Sequence, residues 1–200
     1  LAQWPSAWRA LEQARTFDVI QQWLAVEASR PAFTVVACES KHEFLEGPLR
    51  LAVTIDRMDE LPDGQRLVLD YKSGASLPRV DKDWQSQSFR HPQLLVYASV
   101  LYDQGRAPEA LAWIQLHAAQ VAIQGISAVD TGVPGIAAWP DLTWPELGWT
   151  EQMAQWRAQV KRLAQDFAQG KHDNVTWRRD DLNYCSIGPL LRLHAEVDDE

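Results

Sequence analysis

Two hundred residues, 46% of them hydrophobic, suffice for one domain with its own core, and no apolar run approaches the roughly 20 residues of a membrane span. The net charge of −8 counts against a free-standing nucleic-acid binder, which carries a basic face, but permits a local metal site and leaves phosphate binding to other parts of a larger protein. Cys38 and Cys185 are the only cysteines, too few for a disulfide framework, so a reducing cytoplasm is the default; the absence of a signal peptide and the start at Leu1 read as a fragment of a longer polypeptide.

Residues 5–29 read as helix, with Trp8, Leu11, Ile20, Trp23 and Leu24 near one face. Arg30-Pro31 ends it, because the residue before proline is pushed out of the helical region. Phe33 to Cys38 reads as a strand buried on both faces, and Gly47-Pro48 turns the chain into a second strand carrying Leu49, Leu51, Val53 and Ile55, with Asp56 following. Pro62-Asp63-Gly64 is a strong turn signal before a third strand, Arg66 to Lys72, which stops at Ser73-Gly74.

The second and third strands, folded antiparallel about that turn, pair residues whose numbers sum to roughly 126. Asp56 then lies opposite Asp70, at a Cβ separation of roughly 5 Å. Asp70 and Lys72 are two apart and share a face. Asp59 and Glu60, nearer the turn, read as solvated. Two carboxylates and an ammonium on one patch suit Mg²⁺ or Mn²⁺, with the Tyr71 backbone carbonyl as a third oxygen, and metal-assisted phosphodiester hydrolysis is the chemistry implied. From the hairpin alone, an ordinary surface Asp–Lys pair is an equally open reading.

Further along, residues 75–90 read as a polar mobile loop in which Arg79, Lys82 and Arg90 are candidate phosphate contacts. Gln93 to Tyr102 reads as helix, Glu109–His117 and Val121–Ala128 as strands, and residues 132–148 as a Gly/Pro/Trp loop. Thr150 is expected to cap a long helix with an inner stripe of Met153, Trp156, Val160, Leu163 and Phe167, closed by Gly170. The tryptophans read mostly as core. The element order predicts an α/β domain with a mixed sheet of about five strands flanked by helices.

Asp56, then Asp70-Tyr71-Lys72-Ser73-Gly74, then Gln93-Leu94-Leu95-Val96-Tyr97-Ala98 resembles the PD-(D/E)xK nuclease superfamily, and within it the RecB-like branch that includes AddB-type C-terminal nuclease domains. The resemblance implies a restriction-endonuclease-like fold, with a catalytic core at residues 31–104 and a C-terminal region at 143–195. It implies a metal-dependent deoxyribonuclease in DNA repair or recombination, with DNA as substrate and the upstream chain or a helicase subunit as partner. Asp56 and Asp70 would bind Mg²⁺ or Mn²⁺, Lys72 would be the catalytic lysine, and Gln93 and Tyr97 would touch DNA or orient Lys72. Glu39 matches a glutamate often found on the preceding strand, for which a salt bridge is an equal reading.

The chain departs from that pattern in three places. The usual upstream His or Glu motif is not visible in residues 1–30, where only Glu27 stands in. Leu182 and Leu191 occupy positions where relatives carry iron–sulfur cysteines, which leaves Cys185 alone, so no cluster is expected. Thr54 stands where relatives often carry arginine. The alternatives are a retired nuclease fold that binds DNA or a partner without cutting, and, less well supported, a sugar hydrolase using Asp56 and Asp70 as an acid–base pair.

Overall fold

The structure is a computed structural model that describes residues 5–47, 49–84 and 91–171. Six strands form one mixed sheet in the spatial order of the chain: β1 (Thr34–Glu46), β2 (Leu49–Glu60), β3 (Arg66–Lys72), β4 (Ala110–His117), β5 (Gln120–Ser127) and β6 (Ile136–Ala138). β1–β2, β2–β3 and β4–β5 are antiparallel, whereas β3–β4 and β5–β6 are parallel. The helices are α1 (Ser6–Ala28), the single turn α2 (Val80–Asp83), α3 (Gln93–Asp103) and α4 (Trp149–Ala168). This is the expected α/β architecture with a sixth strand, β6, inside the stretch read as loop.

β6 needs two glycines. Gly125 on β5 lies against β4 so closely that a Cβ there would collide with Ala112 Cβ and the Leu111 carbonyl. Gly135 enters β6 at φ +88°, where L side chains are strained, and a Cβ would strike the Ile123 carbonyl.

The two sheet faces bury separate cores. Leu67, Leu69 and Ile114 cover one face beneath Trp23 of α1. Val68, Trp113 and Ile126 cover the other, beneath Leu94, Tyr97 and Leu101 of α3 and Met153 and Trp156 of α4. Six tryptophans knit this second core together. Trp84 packs at a tilt against Trp113 and edge to face against Trp156, at centroid distances of 5.0 and 5.5 Å, and Trp139 meets Trp144, Trp149 and Trp156 edge to face.

Several expectations are corrected. β1 is an edge strand, so Val35 and Val36 are exposed rather than buried on both faces. In α1 only Trp23 is buried, and Trp8, Leu11, Ile20 and Leu24 face outward, because the helix meets the sheet mainly through its last turns. Residues 75–84 are not a free loop: Val80, Asp83 and Trp84 are buried there. α4 starts after Gly148, not at a Thr150 cap, and Glu151 accepts the Gly148 amide. Its buried stripe is Met153, Trp156, Val160 and Ala164, while Leu163 and Phe167 are exposed. Arg90, Leu182, Cys185 and Leu191 lie outside the described residues. Among the described residues no helix is long and apolar enough to cross a membrane.

Candidate active site

The β2–β3 hairpin turns at residues 61–65, and its register pairs Arg57 with Leu69, Met58 with Val68 and Glu60 with Arg66. Each of these pairs sums to 126, which carried one step further sets Asp56 against Asp70. The backbone ladder ends at that step. In place of a main-chain acceptor, the Asp56 carboxylate takes the Tyr71 amide at 2.9 Å. Within an extended strand the amide and carbonyl of one residue point to the same side, so the Tyr71 carbonyl also faces β2.

Asp70 and Lys72 project toward α3. Lys72 Nζ lies 2.6 Å from Asp70 Oδ2 and donates to Gln93 Oε1 at 2.6 Å. Gln93 Nε2 in turn donates to the Tyr97 hydroxyl at 2.6 Å. Gln93 and Tyr97 are four apart on α3, one above the other, which is why one side chain reaches the other. The structure thus brings Asp70, Lys72, Gln93 and Tyr97 into one chain of contacts, with Asp56 beside it.

The electrostatics follow from burial. Asp70 is 1% exposed, its Oδ1 accepts no hydrogen bond, and burial pushes its carboxyl above the ordinary range. Lys72 pulls in the opposite direction and Asp56 adds to the rise. Burial also raises the Tyr97 hydroxyl, against the bond from Gln93, and the charges of Asp70, Asp56 and Glu39 add to the rise. Glu39 therefore belongs to the same acidic neighbourhood. The pairs Cys38–Arg57 and Ser40–Ile55 flank it, so it faces Asp56 across β1 and β2. It is exposed, sits at φ +47°, and makes no ion pair among the described residues.

Glu27 is not part of this patch. It lies on the opposite sheet face, paired with Arg30 at 2.8 Å and Arg57 at 2.9 Å. Asp59, expected in solvent, is fully buried there between Arg30 and Arg57, both at 2.7 Å. Arg57 also donates to the Tyr71 hydroxyl, so this network braces the residue between Asp70 and Lys72 from behind. The alternation of Arg57 and Asp59 along β2 carried that signal, but their partners, Glu27 on α1 and Arg30 just beyond it, are distant in sequence. Arg79 pairs with Asp81 at the surface.

Among the described residues no group of three or more His, Cys, Asp or Glu is spaced to hold a metal ion. Two carboxylates and a carbonyl remain, which matches what Mg²⁺ takes from protein when water and phosphate supply the rest. The partnerless, buried Asp70 Oδ1 is an oxygen such a cation would satisfy.

No curated protein matches the chain. Among solved structures it is similar to one described as the crystal structure of SSO0001, with 12% identity over 87% of this chain and a TM-score of 0.38. The match spans 66% of that structure's chain. A family model described as the PD-(D/E)XK nuclease superfamily matches residues 2–190, nearly the whole chain. The chain belongs to the PD-(D/E)XK nuclease superfamily.

Proposed function

We propose that this domain is a Mg²⁺- or Mn²⁺-dependent deoxyribonuclease that hydrolyses phosphodiester bonds during DNA repair or recombination. It would be a RecB-like, AddB-type module of a cytoplasmic helicase–nuclease, with apolar packing in place of the iron–sulfur cluster. The observation that carries the chemistry is the placement of Lys72 Nζ, 2.6 Å from both Asp70 Oδ2 and Gln93 Oε1, beside a buried carboxylate oxygen with no hydrogen-bond partner.

In this reading Asp56, Asp70 and the Tyr71 carbonyl hold the divalent ion. The bound ion supplies Lewis-acid stabilisation of the phosphate and lowers the pKa of attacking water. Lys72 provides a fixed positive charge where negative charge builds on the phosphate. Gln93 holds that ammonium in place; because the ammonium can only donate, it takes the Gln93 oxygen, and the Gln93 nitrogen is left to donate to the Tyr97 hydroxyl, which tethers the amide. Glu39, opposite Asp56, is a further acidic group at the entrance.

The test is cleavage of labelled single- and double-stranded DNA with Mn²⁺ or with EDTA. Lys72→Ala is expected to lower kcat by roughly 10²–10³-fold, the usual effect of removing one preorganised charge donor. Asp70→Asn is expected to abolish metal-dependent cutting. Unchanged cutting in both variants would overturn the assignment.

The second reading is a retired nuclease fold that binds DNA or a partner. It is favoured by one observation, that no three metal-ligating side chains gather among the described residues. Calorimetric titration with Mn²⁺ separates the two, since a retired site shows no saturable binding that depends on Asp70.

A further inference from the structure

A cavity of about 410 Å³ opens between β1–β3 and the end of α3, lined by Met58, Val68 and Leu101, by Ser40 and His42 of β1, and by Arg66 and Arg106. Its volume lies within the range of ligand pockets, roughly 300–1,000 Å³. Met58, Val68 and Leu101 each lie one structural repeat from the site, on three elements at once. Met58 is two residues past Asp56 on β2, and Val68 is two before Asp70 on β3, each a step of roughly 7 Å along the same strand face. Leu101 is four past Tyr97 on α3, about 6 Å along the same helix face. That offset is close to the span of one nucleotide in an extended strand.

The lining combines apolar side chains with the Ser40–His42 pair, hydrogen-bonded at 3.0 Å, and with two arginines. Arg66 is already committed to Glu60 at 3.0 Å. Arg106 is exposed and makes no ion pair among the described residues. In a chain of net charge −8, an arginine with no carboxylate partner at the mouth of an apolar groove is matched by an anion attached to a flat, weakly polar body.

We propose that this groove is a nucleotide subsite: it receives the base of the nucleotide next to the scissile phosphate, while Arg106 holds that nucleotide's phosphate. The occupant is single-stranded DNA, because a base that enters the groove against the half-buried Met58 has left the duplex stack. The proposal rests on the nuclease reading for its place in a reaction, but the binding it describes can be measured without cleavage.

The chain's two methionines supply the reporter. Met58 is in the groove, and Met153 is buried in the core beneath α4. In ε-¹³C-methionine spectra recorded in EDTA, thymidine 5′-monophosphate is expected to shift Met58 saturably and leave Met153 in place, while inorganic phosphate moves neither. Arg106→Glu, a surface change, is expected to weaken that binding roughly tenfold. Arg106→Ala should reduce the salt slope of oligothymidylate binding by about 0.7, the single-strand increment for one phosphate contact. An unmoved Met58, equal shifts with inorganic phosphate, or unchanged affinity in Arg106→Glu would overturn the subsite. Cleavage by the wild type is measured in parallel. A protein that binds the nucleotide but never cuts keeps the groove and sinks the nuclease; one that cuts while Met58 stays put sinks the groove.

Discussion

Asp70 is the residue on which the rest of the site depends, and its burial has a consequence that titration can read. Its carboxyl stands above the ordinary range chiefly because burial penalises the charge, with Lys72 offsetting part of that penalty. An acid with a raised folded pKa binds its proton more tightly in the folded state than in the unfolded one. Its contribution to stability is therefore fullest below the ordinary carboxylate pKa and is lost as pH rises through the folded value. Asp70→Asn escapes that loss. In EDTA the variant is expected to melt above the wild type at neutral pH, with the gap closing on acidification toward about pH 4. Thermal melts across that range check it, and a gap that widens on acidification would contradict the assignment.

The β2–β3 hairpin sets which acids can meet, since its turn fixes the register and its register fixes the faces. Where the ladder stops at Arg57–Leu69, Asp56 uses its side chain to take up the Tyr71 amide, so the strands part while the amide stays satisfied. The other hairpin, β4–β5, depends on Gly125, whose missing Cβ lets β5 lie against Ala112 and the Leu111 carbonyl. Gly125→Ala is expected to destabilise by about 1–3 kcal/mol, the usual cost of overpacking. Denaturant titration should show a lower midpoint at an unchanged slope.

For the molecule as a whole, the sheet separates two kinds of interior. One face carries the aromatic core beneath α3 and α4, and at its border the candidate site. The other carries Arg30, Asp59, Arg57 and Glu27, an ion network that ties the end of α1 to the back of β2 and to Tyr71. Hydrogen bonds to Asp59, Glu27 and Tyr71 keep Arg57 charged despite its burial. Breaking such a network from one side leaves buried charge uncompensated. Asp59→Ala is expected to cost about 3–5 kcal/mol of stability. If the proposed function holds, it should also lower cleavage, because Tyr71 loses its support; calorimetric melting and a cleavage assay on the same sample check both.

The residues themselves determined the hairpin. Pro62-Asp63-Gly64 can only turn, the flanking residues can only alternate, and the 126 register follows from those local facts. The order of helices and strands was legible for the same reason, since apolar periodicity and glycine or proline stops act over a few residues. Gln93 and Tyr97 were legible as a helical pair, but that Gln93 reaches Lys72 depends on how α3 lies across β3. β6 escaped notice because three residues carry too little pattern, and it exists only where Gly135 lets the chain back against Ile123. Asp59 read as surface because, although Arg57 is two residues away on β2, the second arginine that encloses it, Arg30, comes from just beyond α1. Local chemistry fixed which side chains the chain offers at the candidate site; long-range packing decided which of them are buried, which are paired, and which are left with an oxygen to spare.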